Sequence, residues 1–154
     1  MNLLFVNSSD SDTRRLLERL TSDGLSSGNS PPEWQRAQDE SQLRECLAAH
    51  APDAVVCDYA HPAPSGLDAM ALVHALRPGT PVIFVCGSIG EARAIEALHL
   101  GATDCVPHSD LSRLAPAIER ALRIARENRA LAAARRRSQT QHAVARVLAE
   151  ADSA

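Results

Sequence analysis

Short runs of consecutive apolar residues alternate along this chain with stretches in which apolar positions recur every three or four residues. The first pattern marks a strand buried on both faces, the second an amphipathic helix. Residues 3–6 predict a buried strand, and residues 12–20 a helix with Leu16, Leu17 and Leu20 on one face. Residues 21–32, rich in Ser, Gly, Asn and Pro, predict a loop. Residues 34–37 predict a second, less apolar strand at or near a sheet edge, and residues 40–50 a helix with Leu43, Cys46 and Leu47 inward and Ser41 near its start. The third strand falls on residues 54–57, and a helix over residues 67–76 is stopped by Pro78-Gly79. Residues 82–85 make a fourth strand and residues 91–100 a helix closed by Gly101 at a C′ position. Cys105-Val106 makes a short fifth strand, and a last helix begins at Leu111. Five strands alternating with five helices are a βα repeat, so the expected class is α/β, a five-stranded parallel sheet with right-handed crossovers covering both faces.

One carboxylate stands out in this pattern. The apolar stretch Ala54-Val55-Val56-Cys57 ends on Asp58, followed by a loop that carries Pro62 and leads to Gly66. Asp58 is thereby placed at the C-terminal edge of a buried strand, where ligands and chemistry collect in open α/β sheets. An aspartate there can accept a phosphoryl group, ligate a metal or cap the next helix, and its neighbours must decide.

At 154 residues the chain accommodates one domain with an appendage. Aromatic residues are only 3%, so the core must be aliphatic and rich in alanine. A net charge of −3 gives no reason to expect nucleic acid as the principal partner. All 16 basic residues are arginine, and lysine is absent. The apolar N-terminal residues 1–6 lack a basic leader, and no run approaches the about 20 apolar residues of a membrane span, so neither secretion nor membrane insertion is expected. Cys46, Cys57, Cys86 and Cys105 show no CxxC spacing, which predicts reduced thiols in a cytoplasmic protein.

Several segments carry a family resemblance when taken in order. They are Pro52-Asp53-Ala54-Val55-Val56-Cys57-Asp58-Tyr59, then Pro62 and Ser65-Gly66-Leu67, then Pro81-Val82-Ile83-Phe84-Val85, then Gly101-Ala102-Thr103-Asp104. With them, residues 1 to about 125 resemble the receiver domain of bacterial two-component response regulators, of flavodoxin-like topology. The resemblance makes Asp58 the phosphoacceptor. Placing a phosphoryl group on a carboxylate brings negative charge onto negative charge. The family answers with a divalent cation held by an acidic pair after the first strand and a lysine after the fifth. A Ser or Thr after the fourth strand and an aromatic on the fifth complete its site. Here the acidic pair falls on Asn7 and Ser8, the lysine on His108, the hydroxyl on Cys86 and the aromatic on Cys105. Mg²⁺ prefers carboxylate ligands, so its binding is expected to be weak or absent, with no metal site and no cofactor. Asp10 and Asp12 are expected to serve as helix N-terminal charge and caps. The resemblance therefore implies a degenerate, pseudo-receiver type without enzymatic activity.

Other readings of the same residues stand beside it. His108, if protonated, can partly replace the lysine and pair with Asp58, or it is a solvent-facing loop histidine. Cys86 and Cys105 end neighbouring strands, so with His108 and Asp58 they form a conceivable zinc set or redox pair, or else behave as small buried hydrophobes. Gly87-Ser88-Ile89-Gly90 is a weak phosphate-loop pattern. A flavin site, the other use of this topology, lacks aromatic residues to stack the ring.

Beyond residue 125 the helix continues through residues 126–137 without a breaker. Ala121, Ile124, Asn128 and Leu131 follow heptad spacing, which predicts a parallel helical pair, with a single exposed helix as the rival. Arg135, Arg136 and Arg137 read as a solvated face. Residues 141–150 are again amphipathic and resemble the lead-in helix of GAF-type sensory domains. The expected organisation is a receiver-like domain over residues 1–125 and a helical linker over residues 126–154, the N-terminal part of a larger sensor kinase-like protein, with a natural single-domain regulator as the rival. The expected function is a non-catalytic signalling module that homodimerises or docks on a protein partner, a histidine kinase or a downstream signalling domain. Its face would be Ala94, Leu98, His99, Cys105 and Arg113. The competing expectation is a conventional Mg²⁺-dependent receiver phosphorylated on Asp58.

Overall fold

The computed structural model of the chain describes residues 1–26, 29–88 and 90–152. Ser27 and Gly28 of the expected 21–32 loop, and Ile89 of the glycine-bearing loop, lie outside the described residues. The elements in order are β1 (Asn2–Val6), α1 (Asp10–Ser22), β2 (Glu33–Ala37), α2 (Glu40–Ala49), β3 (Ala54–Asp58), α3 (Gly66–Leu76), β4 (Val82–Cys86), α4 (Glu91–His99), β5 (Asp104–Pro107), a 3-10 segment (His108–Arg113) and α5 (Leu114–Asp152). The chain divides into two units, Met1–Leu122 and Arg123–Ala154.

In the first unit the five strands form one sheet in the order β2-β1-β3-β4-β5, every neighbouring pair parallel. This is the flavodoxin-like order, with β2 at one edge and β5 at the other. Successive strand side chains point to opposite faces, so each apolar run supplies two cores. Leu3, Phe5, Val56, Ile83, Val85 and Val106 pack with Leu16, Leu20, Leu114 and Ile118 of α1 and α5. Leu4, Val6, Val55, Val82 and Phe84 pack on the other face with Leu43, Leu47, Met70, Val73 and Ala97 of α2, α3 and α4. The low aromatic content is visible here, since Phe5 and Phe84 are the only aromatic side chains among the largest fully buried ones.

The structure moves several boundaries. Helix α1 starts two residues earlier than its apolar stripe because Ser9 caps it, its Oγ accepting from the Asp12 backbone N–H at 3.3 Å. Asp10 and Asp12 supply first-turn charge, and the capping role expected of them belongs to Ser9. The last helix does not begin at Leu111, because Asp110 is extended (φ −141°, ψ 69°) and residues His108–Arg113 turn as a 3-10 segment. Once begun, α5 runs unbroken past Ser138. Ala121, expected on an exposed heptad seam, is 1% exposed in the first unit's core. Ile124 and Leu131 are 41% and 53% exposed, so the seam has no apolar start at Ala121. Among the described residues no helix is long and apolar enough to cross a membrane.

Two glycines are fixed by geometry. Gly101 follows α4 with φ 119°, a conformation that closes a helix end without Cβ strain. At Gly66 the constraint is space: a Cβ there would meet the Tyr59 carbonyl oxygen at 2.8 Å and its Cα at 2.9 Å. Both are backbone atoms and cannot rotate away. Gly66→Ala is expected to destabilise the fold by about 2 kcal/mol, read as a lower urea midpoint at unchanged slope. An unchanged midpoint would show that the β3–α3 loop does not hold this close approach.

Candidate functional site

The register of the parallel sheet brings the strand ends to one edge. Asp58, the last residue of β3, lies opposite Val85 of β4, and the Tyr59 N–H donates to the Val85 carbonyl at 3.1 Å. One carboxylate oxygen of Asp58, Oδ1, accepts from the Ala60 backbone N–H at 3.0 Å. Ser65 caps α3 through the Asp68 N–H, and the Gly66 close approach folds the connecting loop back onto Tyr59. The Tyr59 ring in turn meets Phe84 edge-on, with centroids 5.4 Å apart. The residue that follows Asp58 is thus held by a core contact on its flank.

Asn7, which follows β1, is 4% exposed, and its Oδ1 accepts from the buried Thr13 hydroxyl at 2.9 Å. Its Oδ1 is thus engaged within the fold. Asn7, Asp12, Asp58 and His108 line a cavity of about 10 Å³, floored by Leu16, Val56 and Val85. That is room for roughly one water. Ser8 is exposed and does not line it; its backbone carbonyl accepts from the Gln38 side chain at 3.5 Å. A cavity of that size has no room for a hydrated Mg²⁺, which needs octahedral oxygen ligands and usually retains several waters. No group of three or more His, Cys, Asp or Glu side chains is disposed to hold a metal ion among the described residues. The conceivable zinc set of Cys86, Cys105, His108 and Asp58 is therefore not assembled among the described residues. Nor is an Asp58–His108 ion pair present among the described residues. His108 also lines a separate open cleft of about 380 Å³ beside Arg15, Arg19 and Ser109.

The two cysteines take a different arrangement. Cys86 ends β4 and is buried, Cys105 lies half-buried on β5, and their sulfurs are 2.7 Å apart. Burial pushes the Cys86 thiol up to about 12, helped by its contact with Cys105 and opposed by the Arg113 guanidinium. Burial next to Asp58 likewise pushes Cys57 upward. Of the expected docking face, Ala94 is half-buried, Leu98 is 42% exposed, and His99 and Arg113 are exposed.

Three features escape a reading of the sequence. Asp12 reaches the cavity of Asp58 from the first turn of α1. Arg120 of α5 pairs with Asp104 of β5 at 2.6 Å, across sixteen residues of sequence. His61 is 3% exposed, with Nδ1 2.8 Å from the Pro64 carbonyl and Nε2 without a partner among the described residues. Only the nearness of Asp12 to Asn7 in sequence carries a hint, and the capping reading absorbs it.

Known proteins share this architecture. The sequence profile of the response regulator receiver domain matches residues 11–119. A protein-glutamate methylesterase/protein-glutamine glutaminase 2 of Burkholderia thailandensis is 36% identical over 126 residues, 79% of this chain. The chain spans about a third of that relative's length, 34%. Among solved structures, NtrX from Brucella abortus superimposes with a TM-score of 0.73 at 25% identity, over 89% of this chain and 30% of that one. A response regulator receiver domain protein from Clostridium thermocellum superimposes with a TM-score of 0.66 at 22% identity, over 79% of this chain and 94% of that one. With the strand order, the Asp58 edge and the profile match in agreement, the chain belongs to the response regulator receiver domain family of two-component signalling.

Proposed function

We propose that this receiver domain signals without phosphorylation, as a non-catalytic module that binds a protein partner or a second copy of itself. The carrying observation is the cavity beside Asp58: about 10 Å³, lined by the neutral Asn7 that Thr13 already engages. Accepting a phosphoryl group there requires counter-charge that this chain does not place. Asn7 and Ser8 bring none, His108 stands where the family carries its lysine, and no lysine exists to substitute. Mg²⁺ binding is accordingly weak or absent in this reading, and no cofactor is used.

The docking surface follows from the same logic. Leu98, His99 and Arg113 are exposed beside half-buried Ala94 and Cys105, a mixed apolar and basic patch suited to a protein partner such as a histidine kinase or a downstream signalling domain. In the second unit, Leu131, Val144, Val147 and Leu148 are each more than half exposed, at 53%, 54%, 63% and 61%. Apolar residues so exposed on one helix favour homodimerisation through paired helices.

A second reading has its own observation. Asp58 and Asp12 share one cavity, so a carboxylate pair exists for a conventional Mg²⁺-dependent phosphoacceptor. One experiment separates the two. The protein and Asp58→Asn are incubated with a small-molecule phosphodonor, with and without Mg²⁺, beside a receiver that carries the full acidic pair, and intact masses are read. The expected result is no adduct on this protein where the reference receiver is modified. An adduct that needs both Mg²⁺ and Asp58 overturns the proposal.

A further inference from the structure

Cys86 and Cys105 are the one pair of reactive side chains in contact that the preceding reading leaves unused. Cys105 lies opposite Phe84 in the β4–β5 register and Cys86 opposite Pro107, so both sulfurs leave the same face of the sheet from adjacent strands. The sulfurs approach to 2.7 Å, closer than unbonded sulfur atoms ordinarily come, and the Cys86 thiol also donates to the Val106 carbonyl at 3.7 Å. A disulfide needs about 2.05 Å, so the two sulfurs already lie close to bonding distance. Both cysteines are free thiols in the structure. Neither lines the Asp58 cavity.

We infer that Cys86 and Cys105 form a reversible disulfide under a hydroperoxide, making the β4–β5 edge a redox modification site. The half-buried Cys105 is the sulfur that oxidant reaches first. The Cys105 thiol gives up its proton, its sulfur attacks one peroxide oxygen, the O–O bond breaks, and the departing hydroxide takes that proton as water, leaving Cys105 a sulfenic acid. The Cys86 sulfur then attacks the Cys105 sulfur, the S–O bond breaks, and the departing hydroxide takes the Cys86 proton as a second water. Two thiols lose two electrons and one hydrogen peroxide becomes two waters, so the step balances. Burial raises the Cys86 thiol, so Cys86 gives up its proton less readily and the half-buried Cys105 is the sulfur oxidised first. Cys57 is fully buried and Cys46 lies on α2, so the four cysteines supply one touching pair among the described residues.

The bond would tie β4 to β5 immediately before the 3-10 segment that carries Arg113. An input of this kind acts on the proposed docking face without passing through Asp58. The inference thus goes beyond the signalling proposal, and it stands or falls independently of whether Asp58 accepts a phosphoryl group.

The test uses the whole protein, treated with hydrogen peroxide equimolar to protein, unfolded, alkylated, and analysed by intact mass and by peptide mapping. The expected product has lost two hydrogens, leaves two of the four cysteines alkylated, and yields one cross-linked peptide joining Cys86 to Cys105. A dithiol reductant restores all four to alkylation. In Cys86→Ser, the same treatment is expected to leave Cys105 as a sulfenic acid, trapped by dimedone; Cys105→Ser is expected to form no intrachain disulfide. A sulfenic or unoxidised Cys105 with Cys86 still alkylated in the parent sequence overturns the inference. So does a cross-link to Cys46, or one between two copies of the chain.

Discussion

Phe84→Ala is expected to remove about 4 kcal/mol of stability, the largest single loss in this domain. Phe84 is fully buried on β4, between β3 and β5, and fills the core shared with Met70, Val73 and Ala97. Truncation would forfeit the transfer energy of the ring and leave a cavity that flanking aliphatic side chains close only in part. It would also remove the edge-on contact to Tyr59, the residue that follows Asp58. A domain of this size is stable by about 5–15 kcal/mol, so the variant should stay folded but with its urea midpoint sharply lowered. Leu98→Ala, on an exposed position of α4, serves as the comparison and should shift stability by less than about 0.5 kcal/mol. Equal effects at the two positions would contradict the placement of Phe84 in the core.

The same central residues explain why the fold could be read from the sequence. A strand buried on both faces must be apolar at every position, and Val82, Ile83, Phe84 and Val85 are all 1% exposed or less. That run cannot be confused with a loop, and its flanking Pro81 and Gly87 limit its length. Boundaries were harder where polar residues join an element for reasons other than periodicity. Ser9 starts α1 by capping it, which moved the helix ahead of its first leucine. Asp110 interrupts the entry to α5 through its own backbone angles, which composition does not reveal. Ala121 fitted a heptad equally well as a core position, since alanine satisfies either environment, and only the packing of α5 on the sheet decided.

The site was legible in part for a similar reason. Asp58 was found because one charge after four buried residues has no core role, and the topology puts it at the sheet edge. The neutral Asn7 was equally visible, but its hydroxyl partner Thr13 was not, because Thr13 is a helical residue whose burial depends on α1 docking. Asp12 was assigned to helix capping, and the structure gives the cap to Ser9 while placing Asp12 on the cavity. For the cysteines, strand order predicted proximity to each other, while His108 and Asp58 were placed with them by the same argument and are not gathered into a metal set. Residues two positions apart in register can share a face and touch, whereas the loop after β5 carries His108 toward α1.

Asn7→Asp is the substitution that isolates what this site lacks. A carboxylate at that 4%-exposed position would join Asp12 and Asp58 around a cavity of about 10 Å³. The Thr13 hydroxyl still donates to it, but three carboxylates would then share one small space with little water. In chelator, the variant is expected to be about 3 kcal/mol less stable than the parent at neutral pH. Burial and like charge raise the pKa of the new group in the folded state. The penalty is therefore absent below the unfolded carboxylate value of about 3.9 and grows as pH rises through the raised folded value. Mg²⁺ should offset it, because a cation that binds only the folded state stabilises by mass action, about 2.7 kcal/mol at a hundred times its dissociation constant. The parent protein is expected to show no such gain. Thermal or urea unfolding of both proteins across a Mg²⁺ titration checks the pair of expectations. A parent that gains as much as the variant would mean that Asp12 and Asp58 already suffice for the cation, and the conventional phosphoacceptor reading would replace the one proposed.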